Sequence, residues 1–172
     1  MTPTDRPAHW HEPVSIPIPV LPERILVPFD GSLNAERALG WARLVSLGTD
    51  AEVIVLVGYT QPLTMRGRGA AYVEAIRDDH LTEATELAQE GVEALQAAGT
   101  TARGIVLKGE IARGIIETAA EEGCGLIVIG RQGLTAELGG VAGTRDRFLD
   151  LLQGGVCEKV TRHSDVPVLV VP

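Results

Sequence analysis

Short runs of branched aliphatic residues alternate along the chain with longer segments whose apolar residues recur every three or four positions. The short runs predict buried strands, and the longer spacing predicts helices. The predicted strands are 24–29, 53–57, 103–107, 126–129 and 166–171, and the predicted helices are 34–47, 78–98, a segment from Gly109 onward, and 147–162. Because strands and helices alternate, the pattern predicts an α/β protein with a five-stranded parallel sheet, doubly wound with helices on both faces.

The first 22 residues differ from the rest of the chain, because prolines stand at 3, 7, 13, 17, 19 and 22. Proline lacks a backbone N–H and fixes φ, so it disfavours both helix and central strand. We therefore expect an extended N-terminal arm over 1–22 and a single domain over 23–172. His9, Trp10 and His11 lie in the arm, and two histidines alone make an incomplete metal-ligand set, so no metal site is predicted.

The overall charge and hydropathy exclude some classes of partner. The formal net charge of −8 repels phosphate backbones and disfavours nucleic acid as the main partner. No apolar run approaches the roughly 18 residues that span a bilayer, and the N-terminus has no basic region followed by an apolar stretch. We therefore expect no membrane association and a cytoplasmic location. Cys124 and Cys157 lack metal-ligand spacing and are expected to be reduced, buried thiols.

Two loops that follow predicted strands carry the residues of a candidate site. They are Asp30-Gly31-Ser32 after the first strand and Gly130-Arg131-Gln132-Gly133 after the fourth. Ligands of open α/β sheets bind beyond the carboxyl ends of the strands, where the strand order reverses. Glycines let backbone N–H groups approach phosphate oxygens, helix N-termini add partial positive charge, and Arg131 would add a full charge.

Three segments carry a resemblance to a known family: ILVPFDGS, GEIARGIIETAAEEGCGLIVIGRQG and GGVCEKVTRHSDVPVLVV. In this order they span nearly all of the chain beyond the arm, and the chain from Glu23 to Pro172 resembles the universal stress protein family. The resemblance implies five parallel strands in the order 3-2-1-4-5, a role in stress resistance, and dimers as a common state.

A subset of that family binds ATP through Gly-x-x-Gly, nine residues, then Gly-Ser or Gly-Thr. Gly130 and Gly133 match the first pair, and Gly143-Thr144 follows after nine residues. The helix that should come next, VCEKV, instead follows Gly154-Gly155, which puts Gly155 in place of the serine. Either the phosphate loop runs from Gly130 to Thr144 and another segment follows, or an insertion near 136–146 lies inside the loop. We favour the insertion, since the helical pattern continues unbroken through VCEKVTRH.

The resemblance also implies roles at the adenosine end. Asp30 matches the aspartate that accepts hydrogen bonds from ribose or adenine, and Gly58 stands where the family's backbone contacts adenine. Gly109 lies in the loop before the third helix, where the family often has Gly-Asp-Pro and this chain has Glu110 and Ile111 next. The expected ligand is thus ATP, with or without Mg²⁺, and the expected role is that of a stress-response regulator.

Two other functions compete with ATP binding. One is a dimeric signalling or scaffold protein of the same family that does not bind ATP. The other is an adenylyl-transfer enzyme on a related fold, but the chain has no Gly-x-x-x-x-Gly-Lys-Ser/Thr, no Ser-Gly-Gly-x-Asp and no Ser/His/Asp arrangement. No catalytic residue is therefore predicted, and the expected activity is at most weak ATP hydrolysis.

The last strand, which begins at Val166 and ends at Val171, lies at a sheet edge in the family's strand order. An apolar edge with free N–H and C=O groups invites pairing, and two copies can pair about a two-fold axis, which predicts a homodimer. An alternative is that the arm covers this edge in a monomer, because its apolar residues alternate as in a strand, at 14, 16, 18 and 20.

Overall fold

The computed structural model describes residues 20–60, 70–133 and 155–172, and within 70–77 it describes only the backbone. The strands are β1 (Arg24–Pro28), β2 (Glu52–Tyr59), β3 (Ala102–Lys108), β4 (Leu126–Gly130) and β5 (Val168–Val171). The helices are α1 (Leu33–Thr49), α2 (Ala70–Ala97), α3 (Ile111–Glu121) and α4 (Val156–His163). Every predicted strand is present, and residues 1–19 of the predicted arm lie outside the described part.

The five strands form one parallel sheet in the order β3-β2-β1-β4-β5, which confirms the predicted fold class and strand order. β1 lies at the centre, with Val27 opposite Val55 of β2 and Leu26 opposite Ile127 of β4. The strand order therefore reverses between β1 and β4, and the ends of these two strands define the switch point where α/β proteins bind ligands.

Alternation along each strand divides the core into two layers. Ile25 and Val27 of β1 belong to a buried cluster with residues of α1 and α2, whereas Leu26 belongs to a second cluster with residues of α3 and α4. Successive strand side chains point to opposite faces, so every central strand must be apolar at consecutive positions. This explains the continuous aliphatic runs in the sequence, and it places two of the described helices on each face of the sheet.

Pro28 marks the point where β1 begins to leave the sheet, as its missing N–H requires. The ladder between β1 and β4 ends at Leu26 and Ile127, whereas the ladder with β2 continues to Pro28 and Leu56. The N–H of Phe29 still donates to the carbonyl of Leu56 at 2.8 Å. β1 thus stays paired with β2 for two residues after its pairing with β4 ends, and Asp30 follows directly after the Phe29 hydrogen bond.

Several predicted element bounds were wrong. α2 begins at Ala70 rather than at 78, because residues 70–77 (AAYVEAIR) are mostly good helix formers. The helix predicted from 147 begins, within the described residues, only at Val156, since Gly155 is its N-cap with ψ of 174°. β5 begins at Val168 rather than at Val166. No helix among the described residues is long and apolar enough to cross a membrane.

Candidate functional site

The carboxyl ends of β1 and β4 bring the two predicted loops into contact. A Cβ placed on Gly133 would lie 2.5 Å from Oδ2 of Asp30, so only a glycine fits beside this carboxylate without displacement. Asp30 and Gly133 are both solvent-exposed. Residues that are a hundred positions apart in the sequence therefore form one exposed surface at the switch point of the sheet.

The loop after β1 is built as a turn into a helix. Oδ1 of Asp30 accepts a hydrogen bond from the N–H of Ser32 at 3.1 Å, and Oγ of Ser32 accepts one from the N–H of Ala35 at 3.2 Å. Gly31 has φ of +75°, a left-handed conformation that side-chain-bearing residues rarely adopt. Ser32, with 1% of its surface exposed, is thus the N-cap of α1, and the positive end of the helix dipole lies at the site.

Asn34 joins the two loops, a role that the sequence analysis missed. Its Nδ2 donates to the carbonyl of Gln132 at 3.3 Å, and its side chain is nearly buried. A Cβ on Gly130 would lie 2.9 Å from the carbonyl carbon of Asn34 and 3.0 Å from the carbonyl oxygen. The first turn of α1 therefore packs directly on the backbone of the loop after β4. The sequence signal for this contact is a polar amide in the first turn of α1, on the helix face whose other buried residues are mostly alanines.

The ends of β2 and β3 extend the same edge. The N–H of Gly109 donates to the carbonyl of Tyr59 at 3.0 Å, and its φ of +121° is one that glycine adopts readily. Gly58 has a packing role, because a Cβ there would overlap Cδ1 of Ile111 from α3. Both glycines lie on the carboxyl edge, on the far side of β1 from Gly130.

Arg131 belongs to the loop after β4 and lies near the first turn of α4, where its charge acts on Cys157. Its backbone N–H donates to the carbonyl of Val171 at 2.8 Å, and its side chain is exposed. Burial raises the pKa of the Cys157 thiol on α4, while the Thr161 hydrogen bond and the charge of Arg131 oppose that rise. Gly155 caps α4 without a side-chain hydrogen bond. Arg131 and the N-terminus of α4 thus place positive potential on one side of the candidate site.

The N-terminus of α3 is already neutralised. Glu110 is its N-cap and accepts a hydrogen bond from the N–H of Arg113 at 2.8 Å, while its other carboxylate oxygen lies 3.9 Å from Nζ of Lys159. A carboxylate at this position competes with any second anion there. Of the three helices whose first-turn side chains are described, α1 and α4 are therefore better placed than α3 to bind a phosphate.

The remaining predicted positions are not covered. Gly143, Thr144 and Gly154 lie outside the described residues, as does the insertion predicted near 136–146. The described parts of the chain contain no group of three or more His, Cys, Asp or Glu side chains that could hold a metal ion.

Comparison with known proteins identifies the family. Residues 22–172 match the profile described as the Universal stress protein family. The chain is 30% identical over 155 residues to the universal stress protein YxiE of Bacillus subtilis strain 168, which covers 86% of this chain and 97% of that protein.

Two solved structures share the fold. One is a universal stress protein in complex with cAMP, with a TM-score of 0.63 and 24% identity over 89% of this chain and 99% of the other. The second is the universal stress protein of Archaeoglobus fulgidus in complex with dAMP, with a TM-score of 0.61 and 23% identity over 89% of this chain and all of the other. The resemblance drawn from the sequence segments is confirmed, and the chain belongs to the universal stress protein family.

Proposed function

We propose that this protein is a stress-response regulator that binds an adenine nucleotide, with ATP as the ligand, at the carboxyl ends of β1 and β4. The observation that carries the proposal is the contact between Asp30 and the Gly133 position, because it joins a hydrogen-bond acceptor for a nucleoside to a glycine loop suited to phosphate. A nucleotide carries a nucleoside and phosphates in one molecule, so its site needs both kinds of group within the length of that molecule. The switch point of the sheet supplies the open space beyond the strands.

Each described residue of the site has a distinct part in this proposal. The Asp30 carboxylate accepts hydrogen bonds from ribose or adenine, and the edge at Gly58 and Gly109 faces the base. The backbone N–H groups between Gly130 and Gly133, together with Arg131 and the first turns of α1 and α4, bind the phosphates. The cAMP and dAMP complexes of two structural relatives support the adenine and the first phosphate. That the site also holds a second and a third phosphate, with or without Mg²⁺, is part of what we propose.

Titration calorimetry with ATP, ADP, AMP and adenosine, each with and without Mg²⁺, tests the proposal. We expect saturable binding of all three nucleotides, with the tightest binding for ATP. Asp30→Ala should weaken binding at least tenfold, or about 1.4 kcal/mol, whereas Asp165→Ala, an exposed acid at the opposite end of the sheet, should have no effect. The absence of heat and of any thermal shift at millimolar nucleotide would overturn the proposal.

A second function is favoured by one feature, the lack of a side-chain cap at Gly155. Family members with Gly-Ser at this place have a hydroxyl that Gly155 cannot provide. The competing role is a dimeric signalling or scaffold protein that does not bind ATP. Mass spectrometry of small molecules released from the purified, denatured protein separates the two, since co-purified adenine nucleotide excludes the second role.

The proposal extends to assembly and location. We place the protein in the cytoplasm, and we take a homodimer through the last strand, from Val166 to Val171, to be the assembly state when that strand's edge is free. β5 is an end strand of the described sheet, and the side chain of Val170 is 36% exposed. Two such edges can pair antiparallel about a two-fold axis and leave no open edge.

A further inference from the structure

The outer edge of β5 offers backbone hydrogen-bonding groups at two residues. On the inner side, the carbonyls of Pro167 and Val171 accept hydrogen bonds from Ile127 and Arg131 of the β4 segment. Backbone groups of successive strand residues point to opposite sides, so those of Val168 and Val170 point away from β4. Within the described residues no strand lies on that side. These four groups, two N–H and two C=O, are what a further strand would pair with.

The open part of the edge begins only at Val168. The backbone of Val166 is already bound by the side chain of Ser164, whose Oγ donates to the Val166 carbonyl at 2.9 Å and accepts from the Val166 N–H at 3.1 Å. Any partner strand must therefore be short and register on Val168 and Val170. This condition limits the partner to a segment with two donors spaced two residues apart.

The N-terminal arm has the pattern that such an edge strand needs. Prolines stand at 13, 17 and 19, and residues 14, 16, 18 and 20 between them are Val, Ile, Ile and Val. In an extended segment one set of alternate residues directs its N–H and C=O groups to the neighbouring strand, and the other set directs them to solvent. If the backbone groups of the even-numbered residues face β5, all of their N–H groups are available for pairing. Most N–H groups on the solvent side are absent, because prolines stand there. Prolines on the solvent side also blunt the new edge.

The arm joins the sheet on the side of β1 where β4 and β5 lie. A Cβ on Gly125 would lie 3.0 Å from Cα of Pro22, and the N–H of Gly125 donates to the carbonyl of Arg24 at 3.0 Å. Pro22 is thus placed beside the amino end of β4, the neighbour of β5. The outer edge of β5 is two to three strand spacings away, about 10–15 Å, which roughly four extended residues cross. Val20 and Leu21, which begin this crossing, are 93% and 63% exposed and take no part in the core.

We infer that the arm adds a sixth strand to its own sheet, pairing antiparallel with β5 so that Ile18 lies opposite Val168 and Ile16 opposite Val170. Side chains of directly opposed residues share one face of a sheet. Val168 packs with the cluster under α3 and α4, so Ile16 and Ile18 extend that apolar layer and cover Val170. The prolines then face the α1 side.

The arm competes with a second copy of the chain for the same backbone groups. A tethered segment reaches the edge at an effective concentration in the millimolar range. A second copy at a lower concentration displaces it only if that copy binds the edge correspondingly more tightly. The arm therefore closes the edge in the monomer, and its release exposes the surface of the proposed homodimer. This inference concerns assembly and does not depend on nucleotide binding.

Amide hydrogen exchange of Val168 and Val170 in the full chain, measured by NMR at two protein concentrations, tests the inference. Ile18→Pro removes an N–H that would donate to β5, whereas the matched control Ser15→Pro removes one on the solvent side. We expect both amides of the unmodified chain to be protected at either concentration. Ile18→Pro should reduce the protection at least about tenfold at the lower concentration, which is chosen so that sedimentation shows no dimer. Ser15→Pro should leave the protection unchanged. Sedimentation should show that Ile18→Pro increases the dimer fraction.

Three results would overturn the inference. Unprotected amides in the full chain mean that the arm lies elsewhere, for instance on the exposed leucines of α1. Protection that persists in Ile18→Pro at the lower concentration, where no dimer is present, means that a partner other than the arm occupies the edge. Protection that Ile18→Pro removes but that grows with protein concentration means that the arm binds a second copy rather than its own sheet.

Discussion

Oδ2 of Asp30 lies so close to Gly133 that a Cβ on the glycine would be 2.5 Å from it. The contact joins the loop after the first strand to the loop after the fourth. It sets the spacing between the carboxylate, which suits a nucleoside, and the backbone N–H groups, which suit a phosphate. Substitutions at either residue therefore report on the site directly.

Gly133→Ala should weaken binding of an adenine nucleotide by at least tenfold, about 1.4 kcal/mol. The added methyl group must displace the Asp30 carboxylate, since contacts under 3.0 Å are not tolerated. Calorimetry with ATP measures the change. The control is Gly48→Ala near the end of α1, whose Cβ would have no atom within 4 Å. Equal affinity of Gly133→Ala and the unmodified chain would show that the Asp30 position does not matter.

Gly130→Ala should lower the free energy of unfolding by about 1–3 kcal/mol, as overpacking does. Its Cβ would press on backbone atoms of Asn34 at 2.9–3.0 Å, and these cannot move without α1. Urea denaturation gives the value. Gly40→Ala, a solvent-facing helical glycine with open space around it, should instead stabilise by about 0.5–1 kcal/mol. An unchanged urea midpoint for Gly130→Ala would contradict the packing of α1 on this loop.

Asn34→Ala should weaken ATP binding about fivefold and leave adenosine binding unchanged. The variant loses the hydrogen bond from Nδ2 to the Gln132 carbonyl, worth about 1 kcal/mol, and so loosens only the phosphate side of the site. Parallel titrations with ATP and adenosine measure the two affinities. A general loss of fold would lower both affinities alike, and that result would argue against a positioning role for Asn34.

Ser32→Ala should lower the free energy of unfolding by about 0.5–2 kcal/mol, because the Ala35 N–H at the start of α1 loses its acceptor. Thermal or urea denaturation measures this loss. Thr161→Ala serves as the comparison, since its hydroxyl bonds only Cys157 within its own exposed helical turn and should change stability by less than about 0.5 kcal/mol. Similar losses for both variants would contradict the capping role of Ser32.

Cys157 should react with iodoacetamide before Cys124 at pH 9. Burial raises the pKa of Cys124 from its ordinary value of 9.0 to about 11, so at pH 9 only about one molecule in a hundred carries the reactive thiolate. The rate at Cys124 should therefore keep rising up to about pH 11. Peptide mass spectrometry after timed labelling measures both sites, and faster labelling of Cys124 at pH 9 would contradict its burial.

The raised pKa of Cys124 also links stability to pH. A thiol whose pKa is higher in the folded than in the unfolded state stabilises the fold fully below about pH 9, and this contribution disappears as the pH rises towards 11. Cys124→Ala removes the linkage. Urea denaturation at pH 8 and pH 10.5 should show a smaller loss of stability in Cys124→Ala than in the unmodified chain, and an equal loss would contradict the shift.

The sequence by itself determined the fold class, and it directed attention to the two loops of the candidate site. Buried parallel strands need consecutive aliphatic residues and covering helices need a period near 3.6, so local patterns reveal both. The family segments added the strand order, which puts the loops at Asp30 and Gly130 on neighbouring strands. These properties depend on residues close together in the chain, or on an arrangement shared by the whole family.

Only the tertiary structure decided how the loops meet. Asn34 and Gln132, or Gly58 and Ile111, are far apart in sequence, and no local pattern reports that one fills the space beside the other. The last helix begins only after Gly155, because Gly155 takes the non-helical N-cap conformation although its sequence neighbours continue the helical period. Such contacts arise when helices dock on the sheet, since docking selects which backbone groups and glycines approach each other.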